Sequence, residues 1–197
     1  MTTLVTGFDP FGGMRTNPSQ AAGSWLATHR DDCAYVPVPT SYAGSIRALD
    51  QAVRTHNPTA LLLLGFAESA VGLRLERCAR NITNASAPDN DGKHQSGPIQ
   101  PEAPDRIETR FGYDGLLNVL AGKGIVHTAS DDAGGYVCNW LYWHALVTQP
   151  SLPTLFVHLG EPESEASWNT TCAGLQLVAE AVSARAEVST RRAASRP

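Results

Sequence analysis

Long apolar runs are missing from this chain. Nowhere do about 18 consecutive apolar residues occur, the length a membrane-crossing helix needs, and the amino terminus carries no charged-then-apolar export signal. No membrane partner and a cytoplasmic location are the expectation. Basic clusters are scarce as well: no Lys/Arg group is interleaved with aromatics, the formal net charge is −4, and only Arg191 and Arg192 make a locally basic spot. That argues against a nucleic-acid surface. The four cysteines, Cys33, Cys78, Cys138 and Cys172, lack the paired spacing of a zinc or redox site, and a reducing compartment would leave them unbridged. The dinucleotide pattern GxGxxG is absent, and so is any internal repeat. Neither a paired-cysteine metal site nor dinucleotide binding is expected from these patterns.

What is present is core-forming material. With 42% of 197 residues hydrophobic and 17% charged, the chain can bury one sizeable core. A single domain over residues 1–185 is expected, with a flexible tail over 186–197, where apolar residues thin out. Thr3–Phe8, Cys33–Pro39, Ala60–Phe66, Ile125–Thr128 and Thr154–His158 are short apolar runs of strand length. The prolines place Cys33–Pro39 near a sheet edge, and the unbroken Ala60–Phe66 reads as the central strand. Leu73 and Leu75 alternate with Arg74, Glu76 and Arg77, as in a half-exposed strand. Helical spacing recurs around Ala21–Leu26, Ile46–Val53, Ile107–Leu120, Val137–Leu146 and Thr171–Val182, with Asn17 or Ser19 as cap of the first. Strands alternating with helices predict an α/β fold, a three-layer α/β/α sandwich around a mostly parallel central sheet. Residues 81–104 are rich in Asn, Asp, Ser, Gly and Pro, and a loop this long suits a wall or lid of a site.

Candidate chemistry concentrates between Asp131 and His158. Asp131-Asp132-Ala133-Gly134-Gly135 turns into a helical pattern, which puts Cys138 in the first turn of a helix. Unpaired N–H groups and the helix dipole favour a thiolate there, so a low-titrating nucleophile is expected. His158 closes a strand, and in open α/β sheets reactive groups gather at the carboxyl ends of strands. Spacing alone leaves open a packing role for Cys138 and His158 and a solvated, Arg-paired Glu76. Phe8 and Phe11 flank a Gly- and Pro-marked loop, where exposed aromatics suit a pocket.

Taken together, several blocks resemble one family. Leu4–Gly13 with Asn17-Pro18-Ser19, Glu76-Arg77 with Ala79 and Asn81, Pro88-Asp89-Asn90 with Gly92, Ala133-Gly134 with Val137-Cys138-Asn139, and Phe156-Val157-His158 are similar, in order and spacing, to the pyroglutamyl peptidase I family of cysteine peptidases. The resemblance implies an α/β/α enzyme, commonly a homo-oligomer (dimer or tetramer), that removes amino-terminal pyroglutamate from small peptide substrates without metal or cofactor. It implies Cys138 as nucleophile, His158 as general acid/base and Glu76 as the orienting carboxylate, with Phe8, Phe11, Tyr136 and Asn17 around the lactam. Three departures stand out. Phe66-Ala67-Glu68-Ser69-Ala70 replaces a Gln-Ala-Gly-Gly-Arg-like stretch, Ser86 replaces an arginine expected near the catalytic groups, and Asp131 and Asp132 replace Tyr or Ser and Thr. Phe66, Ala67, Ser86, Asp131 and Asp132 are therefore expected at the substrate. Loss of a cation and gain of carboxylates would disfavour the thiolate and draw an amine-bearing substrate. The alternative expectation is a family member repurposed to hydrolyse, transfer or cyclise a different amide, ester or thioester.

Overall fold

Alternation along the apolar runs sets the layers. The computed structural model describes residues 2–112 and 114–194. The chain runs β1 (Thr3–Phe8), α1 (Pro18–His29), β2 (Cys33–Val38), α2 (Tyr42–His56), β3 (Ala60–Phe66), β4 (Leu73–Glu76), β5 (Cys78–Arg80), β6 (Arg106–Glu108), α3 (Asp114–Gly122), β7 (His127–Ser130), α4 (Val137–Thr148), β8 (Thr154–Leu159) and α5 (Glu165–Ala194). Leu62 and Leu64 join a core with α1, α3 and α5, while Leu61 and Leu63 join a second core with α2 and α4. All four leucines are fully buried. Each contributes about 1.5–3 kcal/mol of burial. Strand β3 is covered on both faces, and the molecule is a three-layer α/β/α sandwich.

The main sheet has the order β2-β1-β3-β8-β4-β7. Its pairings are parallel except β4 with β8, which is antiparallel. That reversal brings the start of β4 to the rim where β3 and β8 end: Arg74 lies opposite His158 and Glu76 opposite Phe156. On the other side of β8, His158 is in register with Gly65. One row across three strands thus reads Gly65, His158, Arg74.

Several boundaries differ from the pattern reading. Residues 127–130, not 125–128, form β7, an edge strand with exposed residues, because its register with β4 runs from Leu73 opposite His127 to Glu76 opposite Ser130. Ile107 belongs to β6, which pairs with β5 in a two-stranded ribbon, and α3 starts after it. Strand β4 is less exposed than alternation implies, since Leu73, Leu75 and Glu76 are all buried and Arg74 is half-buried. Helix α5 begins at Glu165 and continues to Ala194, through much of the segment expected as a tail. Its inner stripe, Leu175, Val178, Ala179, Val182 and Ala186, packs on the sheet. Residues 195–197 of that expected tail lie outside the described residues. The loop at 81–104 is tethered by the ribbon at its base and by Asn81, whose side chain bonds the backbone of Gln100 and Ala103.

Candidate active site

The β1–α1 connection builds one wall. A Cβ on Gly7 would stand 2.2 Å from the Ser19 carbonyl oxygen, so glycine lets α1 start directly against β1. Asn17 caps α1 by accepting from the Ser19 amide, and its Nδ2 donates to the Asp9 carbonyl at 3.0 Å. Ser19 Oγ accepts from the Phe8 amide at 3.1 Å. These bonds fix Phe8 and Phe11 at the rim. Thr40, after β2, is tied to the same loop through Asp9.

The turn into α4 builds the opposite wall. Gly134 has φ of +86°, open only to glycine without strain, and a Cβ on Gly135 would collide with the Asn84 side chain. Tyr136 is the N-cap residue and makes no side-chain cap, which leaves the first-turn N–H groups uncapped by it around Cys138. Buried Asn139 accepts from the Arg80 amide at 2.8 Å and donates to the Arg80 and Ile82 carbonyls, pinning the start of α4 to β5. The Tyr136 hydroxyl donates to the Pro88 carbonyl, so the 81–104 loop braces this wall from behind rather than lining the cavity.

Between the walls lies a cavity of about 160 Å³, lined by Phe8, Phe11, Asn17, Thr40, Phe66, Ala67, Arg74, Ala133, Gly134, Tyr136, Cys138 and His158. It is smaller than the roughly 300–1,000 Å³ of drug-sized sites, and suits a small ring or acyl group. A larger cavity of about 300 Å³ beside Val71, Val126, Glu161 and Glu163 holds no thiol or imidazole. The chemistry therefore points to the smaller one.

His158 Nδ1 lies 2.7 Å from Glu76 Oε1, with both side chains buried. The same oxygen accepts from Arg74 Nε at 2.9 Å, and Arg74 NH2 lies 3.4 Å from His158 Nδ1. A carboxylate so close to Nδ1 requires the proton there, so Nε2 is the ring nitrogen free to accept one. The Phe156 ring packs on the imidazole with centroids 4.8 Å apart. Burial lowers the proton affinity of His158, Glu76 opposes that, and Arg74 adds to it. Burial pushes the Cys138 thiol up to about 12, with Glu76 raising it further and Arg74 and the helix backbone pulling it down. The expected low-titrating thiol is thus corrected: the helix start acts in the foreseen direction, and desolvation outweighs it. The resting pair is a neutral thiol and a neutral imidazole. Cys138 and His158 line the same cavity without a hydrogen bond between them in this arrangement.

Of the candidate residues, Cys138, His158, Glu76, Phe8, Phe11, Asn17, Phe66, Ala67 and Tyr136 converge here. Three do not. Ser86 is exposed on the 81–104 loop. Asp131 pairs with Arg77, and Asp132 with Arg80 at 2.8 Å, so both acids face β5 and the surface rather than the cavity. The residue missed is Arg74, which supplies the cation that Ser86 left wanting. Its signal was the two-residue spacing to Glu76, which puts both on one face of a strand. Thr40, Ala133 and Gly134 were also missed as lining residues. The other cysteines are buried and all four are free. Among the described residues no group of three or more His, Cys, Asp or Glu is placed to hold a metal, and no helix is long and apolar enough to cross a membrane.

Fold and pocket together fit one class, the cysteine peptidases that work at the carboxyl rim of an α/β sheet. The chain belongs to the pyroglutamyl peptidase family, whose model matches residues 1–189. A pyrrolidone-carboxylate peptidase of Gloeobacter violaceus is 31% identical over 91% of this chain and 96% of its own. One from Streptococcus pyogenes is 37% identical over 74% of this chain and 69% of its own. The solved pyrrolidone carboxyl peptidase of Thermus thermophilus superposes with a TM-score of 0.83 at 31% identity, covering 91% and 99% of the two chains. Pyroglutamyl peptidase I of Bacillus amyloliquefaciens gives 0.84 at 27% identity, covering 93% and 97%.

Proposed function

We propose that this chain hydrolyses the amide that follows an amino-terminal pyroglutamyl residue, with Cys138 as nucleophile, His158 as general base and acid, and Glu76 as its orienting carboxylate. The observation that carries this is the buried His158–Glu76 pair sharing a small, Phe-walled cavity with the thiol at the start of α4. From the neutral pair, His158 Nε2 takes the thiol proton as sulfur attacks the carbonyl. Uncapped N–H groups of the first turn of α4 are placed to hold the oxyanion. The imidazolium, paired with Glu76, then protonates the leaving amine, and water, activated by the same imidazole, releases the acid. Phe8, Phe11, Phe66 and Tyr136 enclose an uncharged ring, and Asn17 fixes the loop that carries Phe8 and Phe11.

The same reading takes residues 1–185 as one domain, supported by the family match over 1–189. A cytoplasmic homo-oligomer, dimer or tetramer, acting on small peptides follows from the family resemblance, and light scattering tests the assembly. A family member repurposed to hydrolyse, transfer or cyclise a different amide, ester or thioester is the second reading, favoured by Phe66 standing in the wall where the family carries a polar residue. Asp131 and Asp132, engaged with arginines, lend it no amine-binding site. Incubation with a pyroglutamyl fluorogenic amide decides between them. Turnover that Cys138→Ala abolishes supports the first; no turnover by folded protein whose Cys138 still alkylates supports the second.

A further inference from the structure

Glu76 places a carboxylate in the interior with no exposure, and its Oε2 has no hydrogen-bond partner among the described residues. Two groups at Oε1 can balance its charge: a protonated His158 or the permanently charged Arg74. Only one is needed, because a second positive charge in that space would be uncompensated. Were His158 to supply it, Nε2 would carry a proton and the base for Cys138 would be lost. Arg74 sits in the position that decides this. Its Nε binds Glu76, its NH1 donates to Ser69 Oγ at 3.2 Å, and its NH2 lies beside His158 Nδ1. A protonated Nδ1 cannot accept from that NH2, so the contact is a cation facing a ring that would itself become a cation.

We propose that Arg74 is a positioning residue of this site: by neutralising Glu76 it keeps His158 in its uncharged Nδ1–H form, free to take the Cys138 proton. The inference rests on the triad reading above. The other groups around His158 do not compete for the role. Helix α4 contributes Cys138, with Tyr136 at its cap. Strand β3 contributes Gly65 and Phe66, and the β1–α1 and β2–α2 connections contribute Phe8, Phe11, Asn17 and Thr40. Glu68 lies in the adjoining cavity beyond Phe66, and Asp9 is turned to the Thr40 amide. Arg74 also pulls the thiol toward its anion, so its loss shifts base and nucleophile toward alkaline pH together.

The test uses ring-labelled histidine NMR on the whole chain, with the His158 signal assigned by its loss in His158→Asn. In Arg74→Met the His158 titration is expected to move to higher pH, and iodoacetamide alkylation of Cys138 at pH 7 to slow by roughly three- to tenfold. Arg74→Lys, which keeps the charge and loses the fork, is expected to restore both. Arg74→Gln, which keeps a donor toward Glu76 without charge, reads as Arg74→Met does and serves if that variant does not fold. A His158 titration unmoved in the uncharged variants overturns the proposal, as does an alkylation loss that lysine leaves unrestored. Neither readout needs substrate. Absence of pyroglutamyl turnover in the unaltered protein would therefore count against the functional reading alone.

Discussion

Each of Glu76's contacts has a separate consequence. Its Oε1 fixes the His158 tautomer, and its backbone carbonyl accepts from the buried Tyr142 hydroxyl at 3.0 Å, which ties β4 to α4. Glu76→Gln keeps that carbonyl and the side-chain shape. It offers the ring a neutral partner that no longer stabilises imidazolium in the transition state. The expected result is a fall in kcat/KM of about two to four orders of magnitude with little change in Tm, read by pyroglutamyl amide turnover and calorimetry. A loss below tenfold would remove Glu76 from the mechanism. At this scale the sequence was legible where a motif named residues that the fold brings together, as for Cys138, His158 and Glu76. It misled where a charge was judged by type alone: Asp131 and Asp132 sit beside the turn into α4, yet Arg77, just before β5, and Arg80 on β5 reach them first. No local pattern states that Arg74 on β4, rather than Arg77 just past its end, lines the cavity, so Arg74 stayed hidden until pairing with β8 was known.

Register between elements explains why the cavity exists at all. Gly65 stands beside His158, and a Cβ there would come within 2.8 Å of the Phe156 ring and 3.1 Å of the Cys138 sulfur. Glycine is required for space rather than for backbone freedom. Gly65→Ala is expected to displace the ring that packs on His158, costing about 1–3 kcal/mol of stability. It should lower turnover more than tenfold in protein that remains folded, the measurements being calorimetry and kcat/KM on the same preparation. Unchanged turnover would show that Phe156 and the sulfur relax independently of the site. The parallel strands β1, β3 and β8 and the helices between them were readable from apolar runs, because strands covered on both faces lose their alternation. The antiparallel entry of β4, the β5–β6 ribbon and the extent of α5 were not. Short strands carry too few residues for periodicity to resolve, and the stripe that extends α5 is interrupted by charges.

Across the whole molecule, three thiols outside the cavity share one property. Cys33 packs in the core under α1 and Cys172 on α5, both pushed up to about 11 chiefly by burial; Cys78, bonded to the Asp131 carbonyl, is raised in the same direction. A raised folded-state pKa means the unfolded chain releases protons first as pH climbs. Stability is therefore complete below the ordinary thiol value of 9.0 and declines above it until the folded thiols also ionise. His158 works in the opposite sense. Its lowered affinity means the unfolded chain binds a proton first, so stability declines as pH falls below the ordinary imidazole value of 6.5. Maximum stability is expected between these limits. One pH unit above the free-thiol value, each of Cys33 and Cys172 costs about 1 kcal/mol. The double variant Cys33→Ala with Cys172→Ala loses packing at every pH, but its Tm should fall less between pH 8 and pH 10 than that of the unaltered chain. Equal slopes in the two proteins would place the alkaline loss elsewhere, with the Cys138 thiol and its raised value the next group to remove.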